Sequence, residues 1–169
     1  EDKRRNLANV RSGEYEGLNK KINSKEWKPD FGNSFNKKSG ATAIGVRDFL
    51  IAYNINLNTK STRLANAIAF DVREKGRIKR KGHPIIGEIV YDKDGNPETI
   101  HGSLKHVKAI GWYIEEFGIA QISMNLTNIT ETPIHTVFEE VVKKASARGA
   151  SVTGSELVGL IPLKSMIDA

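Results

Sequence analysis

The sequence has no cysteine, which excludes disulfides, thiolate zinc sites, iron–sulfur clusters and a cysteine nucleophile. Aromatic residues are scarce, at 7%, which counts against the base-stacking platforms of single-stranded nucleic-acid binders. No apolar run approaches the roughly 18 residues of a membrane span. The charged opening EDKRRN has none of the character of a signal peptide. The expectation is a cytoplasmic protein without a membrane partner, and the matches to the glycosylation pattern at 125–127 and 128–130 are then chance. No G-x-x-x-x-G-K-S/T, G-x-G-x-x-G, G-x-S-x-G or H-E-x-x-H string occurs, so phosphate loops, nucleophile elbows and zincin helices are absent from the reading.

What is present is a chain of 169 residues with 38% hydrophobic residues and a net charge of +6. That length fits one domain, or one domain with an ordered arm, and buries ~70% of its unfolded surface without staples. The positive charge favours anionic partners but does not choose between nucleic acid and a multiply charged small ligand.

Along the chain, residues 1–31 read as an arm, with sparse apolar positions at Leu7, Val10, Leu18 and Ile22. A short helix is expected from Tyr15 to Lys25, ended by Pro29. Residues 32–40, GNSFNKKSG, are a polar linker bounded by glycines. Strict alternation over 48–57 predicts a strand with Phe49, Ile51, Tyr53, Ile55 and Leu57 on one side. Residues 60–75 predict a helix with Leu64, Ala67, Ile68 and Val72 inward, capped by Thr59 or Ser61 and stopped by Gly76. Residues 77–106 read as a basic excursion with a hairpin at Asp94-Gly95.

Two strands, 107–114 and 119–127, follow with a tight antiparallel connection. Thr132-Pro133 should open a helix whose inner face is Ile134, Phe138, Val141, Val142 and Ala145. A fourth strand over 150–161 and the start of a final helix complete the order. Strand, helix, strand, strand, helix, strand is an α+β arrangement, the ferredoxin-like βαββαβ sandwich, with four antiparallel strands carrying both helices on one face.

Such a sheet leaves its other face open. The strand period puts Asn54 and Asn56 there from the first strand, and Gln121, Ser123 and Asn125 from the third. Side-chain amides offer paired donors and acceptors suited to ring edges or carboxylates. They line either a ligand site or a polar subunit interface. The histidines (His83, His101, His106, His135) form no metal set, and His135 reads as a surface or packing residue. The run Arg77, Lys79, Arg80, Lys81 is a solvated loop or, as a weaker alternative, a polyanion site.

The strings IAYNINLNT, IGWYIEEFGIAQISMNLTN and GSELVGLIPLKSMIDA, with VRSGEYEGL and WKPDFG upstream, resemble the glutamate formiminotransferases. In that family two similar α/β halves enclose a folate tunnel. The resemblance covers the tail of the first half (1–31), the linker (32–40) and the second half (41–169). It implies transfer of a formimino group from N-formimino-L-glutamate to N5 of tetrahydrofolate in histidine degradation, without a metal. Tetrahydrofolate is then a co-substrate, the first half an obligatory partner, and the assembly a homodimer. The family's general acid/base histidine lies in the first half, within a His-Pro-Arg motif, so no catalytic residue is expected in this chain. His83-Pro84 sits in the excursion and does not inherit that role.

The resemblance also implies folate contact by the linker: Gly32, Asn33, Ser34, Phe35, Asn36, Lys37, Lys38, Ser39 and Gly40. Phe35 suits ring stacking and the two lysines suit glutamyl carboxylates. Asn54, Asn56, Gln121 and Asn125 would wall the tunnel or meet the first half. Beside this stand a non-catalytic ligand-binding or assembly module and, on the basic run alone, a nucleic-acid-binding domain.

Overall fold

A computed structural model describes residues 4, 6–32, 34–84 and 86–169. The chain divides into two units, Glu1–Arg47 and Asp48–Ala169.

The first unit holds helices α1 (Leu7–Arg11) and α2 (Glu14–Ile22). Asn6 caps α1, its side-chain oxygen accepting from the Ala8 amide at 3.0 Å. Gly13, at φ 84°, turns the chain between the helices. Lys21 then donates to the carbonyls of Asn9, Val10 and Ser12 at 2.6, 2.9 and 3.0 Å, neutralising the C-terminal end of α1. The expected single helix to Lys25 therefore starts one residue early and stops at Ile22, well before Pro29, and α1 precedes it.

The second unit begins with strand β1 (Ile51–Leu57) and helix α3 (Thr62–Val72). Short ribbon strands β2 (Arg77–Ile78), β3 (Arg80–Lys81), β4 (Glu88–Ile89) and β5 (Thr99–Ile100) follow. Then come β6 (Val107–Ile114), β7 (Ile119–Leu126), α4 (Ile134–Ser146), β8 (Val152–Val158) and α5 (Leu163–Ile167). The four long strands form one sheet in the order β6-β7-β1-β8, and every neighbouring pair is antiparallel. It is an α+β architecture, and the alternation of β1 explains its core. Ile51, Tyr53, Ile55 and Leu57 are buried with Ala120, Ile122, Met124 and Leu126 of β7 and with the inner faces of α3 and α4.

Local details differ from expectation. Residues 48–50 lie outside β1, and Phe49 is 78% exposed rather than part of the inward row. Ser61 is the cap of α3, accepting from the Leu64 amide at 3.2 Å. The buried face of α3 is Ala65, Ile68, Ala69 and Val72; Ala67 is only partly buried. Ala65 and Ala69 face the sheet in place of Leu64 and Ala67 because the helix sits close on it. A Cβ on Gly111 of β6 would overlap the Asn66 backbone nitrogen and lie 2.8 Å from the Ala65 Cβ. The Asn66 side chain clamps that contact, donating to the Gly111 carbonyl at 2.9 Å and accepting from its amide at 3.0 Å.

Thr132 does not cap α4. It is buried, and its hydroxyl donates to the Lys105 carbonyl at 2.7 Å, while Pro133 occupies the cap position. Val137 joins Ile134, Val141 and Ala145 in the inner face, with Phe138 and Val142 at its margin. The excursion is ordered into two ribbons, β2 with β5 and β3 with β4, and the Asp94-Gly95 turn is closed beyond them by a Tyr91–Pro97 bridge.

Candidate functional site

The register of the sheet writes three rows across its helix-free face. Trp112, Gln121, Asn56 and Gly154 lie side by side in one row. Ile110, Ser123, Asn54 and Glu156 form the next, and Lys108, Asn125, Ala52 and Val158 the third. The amides read from the sequence are thus opposite the helices, and the outer strands add a tryptophan, a carboxylate and an ammonium.

Side chains of the first two rows join into one network. The Trp112 indole donates to Gln121 Oε1 at 2.8 Å. Gln121 Nε2 donates to Asn56 Oδ1 at 2.7 Å and to Glu156 Oε2 at 3.3 Å, and Asn54 Nδ2 reaches the same Glu156 oxygen at 3.4 Å. An indole nitrogen can only donate, so it fixes which way the Gln121 amide faces, and that in turn fixes Asn56. Gln121 is fully buried and Asn54 is 6% exposed. A buried amide is tolerated when its hydrogen bonds are made, as those of Gln121 are. Asn125 stands exposed in the third row, outside this network. Around the network lie the half-exposed ring of Trp112 and the exposed Ile110 and Val158.

The linker is structured by its own contacts. Asn36 Oδ1 accepts from the amides of Lys38 and Ser39 at 2.9 and 3.1 Å, and the Gly40 amide donates to the Asn36 carbonyl at 2.8 Å. The Tyr15 hydroxyl of α2 donates to the Lys37 carbonyl, and the Tyr15 and Phe35 ring centroids are 5.6 Å apart. The strip is therefore a closed turn anchored to α2 rather than a loose connector, and Phe35 already has an aromatic neighbour. Gly32, Ser34, Lys37, Lys38 and Ser39 are exposed, Gly40 is half-buried, and Asn33 lies outside the described residues.

Most of the basic run is committed within the protein. Arg77 pairs with Asp71 and donates to the Ala67 carbonyl, Lys79 pairs with Glu98 at 2.6 Å, and Arg80 donates to the Gly87 carbonyl at 2.8 Å. Lys81 is exposed. His106 pairs with Glu131 at 2.9 Å, outside the amide network, and His135 lies in the first turn of α4. Among the described residues no group of three or more His, Asp or Glu side chains is placed to hold a metal ion.

Trp112 and Glu156 are the residues that strand-by-strand reading missed. Trp112 was within reach. A four-residue connection pairing Ile114 with Ile119 sets Trp112 opposite Gln121 by counting alone. Glu156 needed the sheet order, because β8 meets β1 only through the tertiary fold.

The formiminotransferase domain model matches residues 52–169, and that of its N-terminal subdomain matches residues 1–47. The chain belongs to the formiminotransferase family. Formimidoyltransferase-cyclodeaminase of Gallus gallus is 46% identical over all of this chain and 28% of its own length. Glutamate formimidoyltransferases of Thermoplasma acidophilum and Streptococcus pyogenes are 38% and 35% identical over 98% of this chain. The chain spans 47% of each of those two relatives. For a formiminotransferase-family chain, the break between the two matched models falls beside the division between the structural units at Arg47.

Proposed function

We propose that this chain supplies the folate-binding C-terminal half of a glutamate formimidoyltransferase. In this reading the enzyme moves a formimino group from N-formimino-L-glutamate to N5 of tetrahydrofolate in histidine degradation. The observation that carries it is the Trp112–Gln121–Asn56–Glu156–Asn54 network, built around the buried Gln121 and Asn54 amides, on the sheet face the helices leave open. A plain solvated face has no reason to bury an oriented amide. A surface that receives a flat, polar-edged heterocycle does, because fixed donors and acceptors cost little ordering when the ligand arrives.

The residues proposed to wall the folate site are Asn54, Asn56, Gln121 and Asn125. The linker positions Gly32, Asn33, Ser34, Phe35, Asn36, Lys37, Lys38, Ser39 and Gly40 are proposed as a separate folate contact, with Lys37 and Lys38 exposed to meet carboxylates. The β1-α3-β6-β7-α4-β8 connectivity and the order β6-β7-β1-β8 support reading the second unit as a ferredoxin-like βαββαβ sandwich.

Chemically, the N5 lone pair adds to the formimino carbon to give a tetrahedral centre. N5 gives up its proton, the bond from that carbon to the glutamate nitrogen breaks, and the departing nitrogen takes a proton. A histidine of the first half provides that proton in this reading, and this chain binds and orients the folate. Homodimeric assembly, a cytoplasmic location and the absence of a metal belong to the same reading; among the described residues no helix is long and apolar enough to cross a membrane.

The test is a titration of the chain with 5-formyltetrahydrofolate and with RNA, followed by turnover assays after adding the first half of a glutamate formimidoyltransferase. Folate binding with turnover only in the mixture is the expected result. Folate binding without turnover favours a non-catalytic module, and RNA binding with a steep salt slope overturns the assignment.

A further inference from the structure

We infer that the Glu156 carboxylate receives a ligand edge carrying adjacent N–H groups, the amidine-type edge shared by the 2-amino-4-oxopyrimidine end of a pterin and by a formimino group. This rests on the folate reading above and names the contact that reads the substrate. Glu156 Oε2 accepts from both Gln121 and Asn54. Its Oε1 has no partner among the described residues, and neither Lys nor Arg neutralises it there.

An exposed glutamate on an edge strand ordinarily samples several rotamers. Here two amide donors hold one oxygen, and the donors are themselves held by a buried hub whose direction Trp112 sets. The second oxygen, on a solvent-exposed side chain, is left open to a ligand. Asn54 Oδ1 and Asn56 Nδ2 are likewise without partners among the described residues. The network therefore offers two acceptors and one donor. A pterin edge runs donor, donor, acceptor across its amino group, ring N–H and carbonyl, the matching complement. A formimino group offers N–H donors where a formyl group offers only an acceptor oxygen. Charge assistance from the carboxylate strengthens such contacts about twofold over neutral ones.

The experiment uses the 169-residue chain together with the first half of a glutamate formimidoyltransferase. Dissociation constants are measured for two ligand pairs: 5-formyltetrahydrofolate against its 2-desamino counterpart, and formiminoglutamate against formylglutamate. Wild type should prefer the member with the additional N–H in at least one pair by about tenfold or more, as sites built around a substrate N–H do. Glu156→Gln should abolish that preference while leaving the circular dichroism spectrum and melting curve unchanged. Glu156→Ala should also abolish the preference with an unchanged circular dichroism spectrum, its melting temperature falling as the Gln121 and Asn54 amides lose an acceptor; it guards against an effect peculiar to one replacement.

Loss of preference in the pterin pair assigns the edge to folate, and loss in the glutamate pair assigns it to the formimino donor; either supports the inference. Wild-type binding with preferences untouched in both variants overturns it while leaving the folate reading intact. A wild-type mixture that binds no folate overturns the reading beneath and the inference with it.

Discussion

Gly111 decides how near α3 can approach the sheet. Its missing side chain leaves the space that Ala65 and the Asn66 backbone occupy. Gly111→Ala should therefore destabilise the protein by about 2–4 kcal/mol through overpacking of a rigid contact, read by urea denaturation. An unchanged midpoint would show that α3 can shift away freely. Trp112→Phe keeps most of the ring but removes the indole N–H that donates to Gln121 Oε1. It leaves a buried carbonyl oxygen unsatisfied, and the expected cost is about 1–3 kcal/mol. Under the proposed folate reading, affinity should fall with it, because the direction of the Gln121 amide is no longer fixed; a variant as stable and as tight-binding as wild type removes Trp112 from the network. At this scale the amides of the site were legible, because period-2 alternation alone sorts Asn54, Asn56 and Gln121 to one side. Their mutual bonding was not, since it depends on which strands lie adjacent.

Element boundaries follow a similar logic. The helices and strands of the second unit were readable from alternation, caps and glycines, whereas Thr132 was misjudged because a buried hydroxyl found the Lys105 carbonyl before a helix amide. No local pattern announces such a partner. The excursion is an element whose turn can be tested by pH. The Asp92 carboxylate accepts from the Asn96 and Asp94 amides at 2.8 and 2.9 Å. These hydrogen bonds, that from Asn96 foremost, hold its pKa below the usual carboxylate range against the opposing pull of burial. The folded value being the lower one, the turn is favoured at pH above the ordinary carboxylate range. It loses that support as pH falls through the depressed folded value. An NMR titration should place the Asp92 midpoint below that of an unstructured aspartate, with the Asn96 amide shift following it; an ordinary midpoint would refute this. Asp71 ties the excursion to the helices, pairing with Arg77 and, at 2.5 Å, with Arg148 beyond α4. Asp71→Asn should cost roughly 1–2 kcal/mol. Amide exchange should quicken at β2 and β5, while equal exchange rates in the variant would mean that the ribbons hold themselves.

For the molecule as a whole, the buried apolar cluster draws every member from the second unit, from Ile51 to Ala150. Residues 41–49 are exposed and carry no regular structure, and Arg47 lies among them. Brief trypsin treatment should cut there, and the Asp48–Ala169 fragment should still melt cooperatively by circular dichroism. A fragment without a cooperative transition would show that the core does not suffice. The position of β8 has a different outcome for function. It is the outermost ribbon beside β1, its register with β1 shifts between Asn56 and Leu57, and it carries Glu156. Outer ribbons open before centres do. Warming should consequently extinguish recognition at a lower temperature than shape, so that the protein turns deaf to its ligand while still standing.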